Sequence, residues 1–131
     1  ENVQSQSTSN PNSIAQVAAE TALNGDQQPI RDMVKVFKQR HDAVVDLLNA
    51  MPGVECLPAE GAFYAFPSFH KVIERMGFAN DLELADFLIE KAGVAYVPGS
   101  AFGAPGHLRL SYATSMENLT KALERTAAAI A

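Results

Sequence analysis

Apolar residues recur every three or four positions in several stretches of the chain, and this spacing predicts amphipathic helices. The longest predicted helix covers residues 29–51 and ends where Pro52 and Gly53 follow Met51. Its predicted apolar face consists of Ile30, Val34, Phe37, His41, Val44, Leu48 and Met51. Shorter helices are predicted after "SNPNS", within "SFHKVIERMGFAN" and "DLELADFLIEKAG", and at the C-terminal end of the chain.

Residues that favour helix N-termini stand just before several of these stretches. Asn10 or Asn12 is expected to cap the first helix, and Thr114 or Ser115 the last. Asp81 is expected to cap the helix within "DLELADFLIEKAG". The predicted helices therefore have defined starting points.

Four short segments are typical of strands instead: "VECLP", "GAFYAFP", "VAYVP" and "HLRLSYA". The predicted order of elements is α-α-β-β-α-α-β-β-α. This order predicts an α/β (α+β) fold, in which a mixed sheet of three or four strands packs against helices in a two-layer small domain.

Length and charge narrow the range of functions. The chain has 131 residues, the size of one domain, and a formal net charge of -5. Its basic residues are few and scattered, which argues against a nucleic-acid partner. No apolar run approaches the roughly 18 residues of a membrane span, and the first residues resemble neither a signal nor a transit peptide. With one cysteine, we expect a cytoplasmic protein; the missing initiator Met suggests a piece of a longer or processed chain.

The segment "HLRLSYA" places a cation in a strand. Side chains alternate between the two faces of a strand, so Leu108, Leu110 and Tyr112 should face the helices, and Arg109 should face away from them. Two interpretations remain open at this point. Arg109 is either an exposed arginine of an edge strand or an anion site, because a guanidinium pairs with a carboxylate through two parallel hydrogen bonds. The loop "GSAFGAPG" beside it would allow a ligand to approach closely.

Other candidate residues point to structure rather than chemistry. His41, His70 and His107 are far apart in the sequence and lack ligand spacing, so a zinc site is not expected. Cys56 has no neighbouring His or Lys and is expected to be a buried structural thiol. The loop "GSAFGAPG" is followed by a strand rather than a helix, which excludes a phosphate-binding P-loop.

Several stretches together resemble one enzyme family. The segments "SQSTSNPNSIAQVAA", "GAFYAFP", "AGVAYVPGSAFG" and "GHLRLSYATSMENLTKALERTAAAI" are similar to the C-terminal part of class I aminotransferases. These are aspartate-aminotransferase-like enzymes of fold type I that depend on pyridoxal phosphate. The resemblance covers residues 4–130. It implies that residues 1–10 are a loop leading in from a missing large domain and that residues 11–131 form the small domain.

The resemblance also implies roles for three residues. Arg109 would bind the α-carboxylate of an amino-acid or 2-oxo-acid substrate, and Phe63 would line the substrate side of the cleft. Ser9 would reach the active site of the neighbouring subunit in a homodimer. None of the lysines stands in the family's cofactor-binding motif (Lys35, Lys38, Lys71, Lys91 and Lys121). We therefore expect no catalytic, cofactor-binding or metal-binding residue in this chain, and no pyridoxal phosphate bound to it alone.

Two alternatives stand beside an incomplete aminotransferase. One is a stand-alone module that uses Arg109 to bind an amino acid or another carboxylate without catalysis. The other is an interaction domain with no small ligand. A large domain encoded upstream of Glu1 would favour the aminotransferase, whereas a start codon near Glu1 would argue against it.

Overall fold

A computed structural model describes Gln6 and residues 10–131 of the chain. The chain divides into two compact units, Glu1–Val34 and Lys35–Ala131. Five α-helices have their bounds within residues 10–131: α1 (Ser13–Asn24), α2 (Gln28–Asn49), α3 (His70–Met76), α4 (Asp81–Ala92) and α5 (Met116–Ala129). Ser9, expected to serve a neighbouring subunit, lies outside the described residues.

The first unit contains α1 and the beginning of α2. Asn12 caps α1, because its side chain accepts hydrogen bonds from the backbone N–H groups of Ile14 and Ala15. No residue of α1 is buried. The large apolar side chains of this unit are exposed instead, namely Ile14, Val17, Leu23, Ile30, Met33 and Val34.

In the second unit, α2 buries the C-terminal half of the predicted apolar face. His41, Val44 and Leu48 are buried, and Met51 is buried just beyond the helix. The predicted long helix over residues 29–51 is therefore confirmed to within two residues at each end. The periodicity located it because an apolar stripe and a Pro-Gly break are local signals.

The sheet has three strands, β1 (Tyr64–Ala65), β2 (Val97–Pro98) and β3 (Leu108–Ser111), in the order β1-β3-β2. Both neighbours pair with β3 in the antiparallel direction, so the prediction of a mixed sheet is wrong. The segment "VECLP" is not a strand either. It makes one isolated bridge, between Glu55 and Ser68, since strand-like composition does not supply a pairing partner.

The helix boundaries correct one further prediction. Asn80, not Asp81, caps α4, since its side chain accepts from the backbone N–H groups of Leu82 and Glu83. Asp81 is instead the first residue of α4, and it is buried. Ser115 caps α5 through the backbone N–H of Asn118, as one of the two predicted alternatives. In the described residues, no helix is both long and apolar enough to cross a membrane.

The hydrophobic core lies in the second unit. Leu108, Leu110 and Tyr112 of the segment "HLRLSYA" are buried, as the predicted alternation requires. They join a cluster that includes buried residues of α2, α4 and α5: Val44, Leu48, Leu84, Leu88, Leu119 and Leu123. This packing leaves the opposite side of β3 for the residues described below.

Candidate functional site

Arg109 lies in the middle of β3, on the side that the core does not use. The strand alternates between buried leucines and the partly exposed Arg109, and it ends at the exposed Ser111. The prediction that Arg109 faces away from the core is confirmed. A charged side chain at this position escapes the large penalty of burial in an apolar interior.

Two aromatic rings enclose the guanidinium of Arg109. Its Cζ atom lies 4.4 Å from the ring centroid of Tyr64 and 4.3 Å from that of Phe102. Both distances are within the range of favourable cation–π contacts. Tyr64 comes from β1, which pairs with β3, and Phe102 comes from the 3₁₀ helix Gly99–Phe102 that follows β2.

This arrangement gives the guanidinium two ring contacts, and neither uses one of its hydrogen-bond donors. The five N–H donors of an arginine lie in the plane of the group, so stacking does not consume them. Among residues 10–131, no carboxylate lies within 4.0 Å of Arg109, and its side chain makes no hydrogen bond. The two rings therefore restrict the side chain, and the donors that match a carboxylate have no acceptor among residues 10–131.

Further rings extend the site on either side of Arg109. We call Phe63, Tyr64, Phe66, Phe102 and His107 the aromatic cluster. The Phe63 ring lies 4.5 Å from that of Tyr64, and the Phe66 ring lies 6.2 Å from that of Phe102 and 5.1 Å from that of His107. Phe63 is 41% exposed, so it stands beside the residue that stacks on Arg109 rather than in the core.

The loop over residues 99–106 is closely folded next to this cluster. The N–H of Gly99 donates to the carbonyl of His107 at 2.7 Å, and its own carbonyl accepts from Ala104 at 3.0 Å. A Cβ atom at Gly99 would stand 2.3 Å from the Ala104 carbonyl oxygen, so only glycine fits here without rearrangement. The backbone N–H of Ser100 donates to Oδ2 of Asp81 at 2.7 Å.

Asp81 remains a carboxylate in this environment. Burial favours its neutral form, but the hydrogen bonds from Ser100 and the backbone N–H groups of Asp81 and Gly106 outweigh burial and leave the pKa of Asp81 below its usual value. Oδ1 of Asp81 is buried and has no hydrogen-bond partner among the described residues.

The remaining candidates behave as structural residues. Cys56 is buried, and burial raises the pKa of its thiol, as expected for a structural cysteine. His70 and His107 do come together, with ring centroids 5.2 Å apart, although they are far apart in sequence. In the part of the chain that the structure describes, however, no three metal-ligating side chains converge. Lys38 pairs with Asp42, and Lys71 pairs with Glu55.

Tyr64 and Phe102, the residues that hold Arg109, were not among the predicted site residues. The position of Tyr64 could have been predicted. Side chains alternate along β1, so Tyr64 faces the side opposite to its neighbours Phe63 and the buried Ala65. Phe102 had no such signal, because it ends a short 3₁₀ helix that the sequence pattern does not predict. Only the folded loop brings its ring onto Arg109.

Comparison with known sequences assigns this chain to a family. The sequence model for "Aminotransferase class I and II" matches residues 1–125. The chain belongs to the class I and II aminotransferase family. An aspartate/prephenate aminotransferase from Nitrosomonas europaea is 51% identical over 97% of this chain, and an aspartate aminotransferase from Geobacillus stearothermophilus is 47% identical over 92%. The chain spans 34% and 31% of their lengths, respectively.

Solved structures of aminotransferases have the same fold. The crystal structure of the aspartate aminotransferase from Rhizobium meliloti matches 98% of this chain with a TM-score of 0.87 and 43% identity. An aspartate aminotransferase from Thermus thermophilus, solved with maleate, matches 98% with a TM-score of 0.81 and 41% identity. The chain covers 33% and 32% of these two structures. The predicted fold class and the predicted aminotransferase family are therefore confirmed.

Proposed function

We propose that this chain is the C-terminal part of a pyridoxal-phosphate-dependent aminotransferase that moves an amino group between an amino acid and a 2-oxo acid. In this proposal, residues 1–10 lead in from a large domain and residues 11–131 form the small domain. The support is the family match together with the length of the relatives, of which this chain spans about a third. The names of these relatives favour aspartate as an amino donor.

Arg109 binds the substrate α-carboxylate in this proposal. The observation that supports this role is that Tyr64 and Phe102 enclose the guanidinium of Arg109, with no carboxylate beside it among residues 10–131. A bidentate pair between arginine and a carboxylate fixes both the distance and the orientation of the ligand. Because the two rings already restrict the guanidinium, little side-chain freedom remains to be lost when the substrate binds.

The role of these residues is to orient the substrate. A clamped α-carboxylate restricts rotation of the substrate and holds its Cα–H bond in one direction, which converts binding energy into correct alignment. Phe63, beside Tyr64, lines the substrate side of the site. The aromatic cluster places apolar surface around the clamp, and a lower local dielectric strengthens charge-assisted hydrogen bonds.

Pyridoxal phosphate, when bound to the full-length protein, supplies the electron sink for the reaction. The residues around Arg109 do not fit that cofactor. The two rings that enclose the guanidinium belong to Tyr64 and Phe102, which carry no positive charge for a phosphate, and none of the five lysines stands in the family's cofactor motif. The lysine that binds the cofactor, and the groups that hold its phosphate, therefore lie outside this chain in our proposal.

The full-length protein is a cytoplasmic homodimer in this proposal, and Ser9 contributes to the active site of the neighbouring subunit. The support for the dimer and for Ser9 is the resemblance of "STSNP" to the corresponding family segment. The support for the compartment is the single cysteine in the sequence.

Replacement of Arg109 by lysine in the full-length protein tests the carboxylate role. Lysine keeps the charge but loses the planar fork, and one charge-assisted hydrogen bond contributes about 1.5–3 kcal/mol. We expect kcat/KM for aspartate to fall at least about tenfold, and the inhibition constant of maleate to rise by a similar factor. Arg125→Lys, at an exposed position of α5, is the matched control and should change neither. Unchanged kinetics in Arg109→Lys would rule out the carboxylate role.

A further inference from the structure

We propose that Asp81 is a positioning residue for Arg109: its buried carboxylate holds the loop over residues 99–106 so that Phe102 stays on the guanidinium. This inference rests on the proposed role of Arg109 as the carboxylate clamp. The inference adds Asp81 of α4 to the residues that support the site. Asp81 is linked to the guanidinium through Ser100 of the loop and the Phe102 ring.

The first argument is that Asp81 has no other evident task. Asn80 already caps α4 with its side chain, so the helix does not need a second cap. A carboxylate that merely favoured the helix N-terminus would also work from an exposed position. Asp81 is instead 1% exposed, and its Oδ2 atom accepts the backbone N–H of Ser100 at 2.7 Å. The carboxylate therefore connects α4 to the loop.

The second argument is the unfavourable burial of this group. A buried carboxylate destabilises a protein unless hydrogen bonds compensate it, and Oδ1 of Asp81 has no partner among the described residues. Such incompletely satisfied buried groups are uncommon, and each one calls for an explanation. The hydrogen bonds nonetheless keep the pKa of Asp81 low, so the group is charged near neutral pH and its bond to Ser100 is charge-assisted.

The third argument concerns how each ring is held against Arg109. Tyr64 belongs to β1, and the pairing of Tyr64 with Ser111 fixes its position relative to β3. Phe102 is outside the sheet and is 49% exposed, so core packing does not fix it. Its position depends on the 3₁₀ helix Gly99–Phe102, which Asp81 holds at Ser100. Release of that bond should loosen one of the two rings and leave the other in place.

Replacement of Asp81 by asparagine in the full-length protein tests this inference. Asparagine has the same shape, but it cannot make a charge-assisted bond to Ser100. We expect the inhibition constant of maleate and the KM for aspartate to rise about fivefold to tenfold, with a smaller change in kcat. Asp86→Asn makes the same change at an exposed position of α4 and should alter neither constant.

A double-mutant cycle separates positioning from a general loss of structure. If Asp81 acts through Arg109, the Asp81→Asn change should have little further effect on maleate binding once Arg109 is lysine. Additive effects of the two changes would overturn the inference. Phe102→Leu keeps an apolar side chain at an exposed position and should raise the inhibition constant as Asp81→Asn does, which provides a test even if Asp81→Asn does not fold.

The outcomes also separate this inference from the proposed function. If Arg109→Lys weakens maleate binding but Asp81→Asn and Phe102→Leu do not, the inference is wrong and the carboxylate clamp stands. If Arg109→Lys itself has no effect, the clamp is wrong and the inference falls with it. Weakened binding in all three single variants, with non-additivity in the double variant, would support both.

Discussion

The buried hydroxyl of Tyr96, the residue just before β2, forms a hydrogen bond with α5. Tyr96 is 5% exposed, and its hydroxyl lies 3.0 Å from that of Thr126 on α5. Thr126 is fully buried and donates to the carbonyl of Ala122, so its hydrogen atom is already used and the Tyr96 hydroxyl is the donor between the two. Burial raises the pKa of Tyr96 to about 12, although the bond with Thr126 opposes this shift.

The raised pKa predicts a loss of stability at alkaline pH. The unfolded chain loses the Tyr96 proton near pH 10, whereas the folded chain keeps it until about pH 12. The unfolded state therefore binds fewer protons in this window, and the free energy of unfolding must fall as pH rises. Below pH 10 this contribution is fully present. We expect Tyr96 to account for a loss of about 1.4 kcal/mol between pH 8 and 11.

Urea denaturation of the 131-residue chain at a series of pH values measures this loss, with Tyr96→Phe as the comparison. The variant should be less stable at pH 8 by about 1 kcal/mol, because it lacks one hydrogen bond. Its stability should then decline less steeply between pH 8 and 11 than that of the original chain. Equal slopes for the two proteins would show that Tyr96 does not titrate as proposed.

At the scale of elements, the loop over residues 99–106 depends on a glycine for space rather than for an unusual backbone angle. A Cβ atom at Gly99 would meet backbone oxygens of Ala104 and His107 at 2.3 Å and 2.8 Å. Backbone atoms cannot move aside as a flexible side chain can. We expect Gly99→Ala to lower the unfolding free energy of the chain by about 1–3 kcal/mol, the usual cost of overpacking.

Gly61→Ala is the matched control for this prediction. No heavy atom lies within 4 Å of a Cβ built at Gly61, and its backbone does not have a positive φ. Both substitutions reduce the freedom of the unfolded chain by the same amount, so the difference between them isolates the steric clash. Urea midpoints that coincide for the two variants would contradict the close approach at Gly99.

The elements that the sequence predicted well are those with local signals. The long helix has a continuous apolar stripe and a Pro-Gly break, and β3 has a clear alternation around Arg109. The segment "VECLP" has strand-like composition but only one bridge, between Glu55 and Ser68. Whether such a segment extends a sheet depends on partners elsewhere in the chain, and strand propensity carries no information about them.

The site was predictable only in part for the same reason. Arg109 stands out because a lone cation interrupts an apolar strand. Phe102 and Asp81 do not stand out, because their roles appear only when the loop over residues 99–106 folds back on β3 and α4. The prediction that Asp81 caps α4 was wrong, although aspartate is a common capping residue and stands at the start of the helix. Asn80, one residue earlier, is the cap, and Asp81 binds Ser100 instead.

At the scale of the whole molecule, our proposal places the substrate-orienting site in this chain and the cofactor-binding site outside it. It spans about a third of the length of its relatives. Its first unit exposes large apolar residues at positions where a globular chain would be expected to bury them, among them Ile14, Val17 and Leu23. Both observations fit a segment that completes its function with another part of a longer protein.

We predict that the isolated chain does not bind pyridoxal phosphate specifically, because our proposal places the cofactor-binding residues outside it. Titration of the 131-residue chain with the cofactor should show only weak, non-saturable changes in absorbance. Borohydride reduction followed by mass spectrometry should find no lysine labelled in stoichiometric amount, because none of the five lysines lies in the family's cofactor motif. The full-length protein, treated in the same way, should bind one cofactor per chain and be labelled at a lysine outside this segment. Tight, saturable uptake by the isolated chain would contradict this prediction, because the cofactor site would then have to lie among residues 1–131.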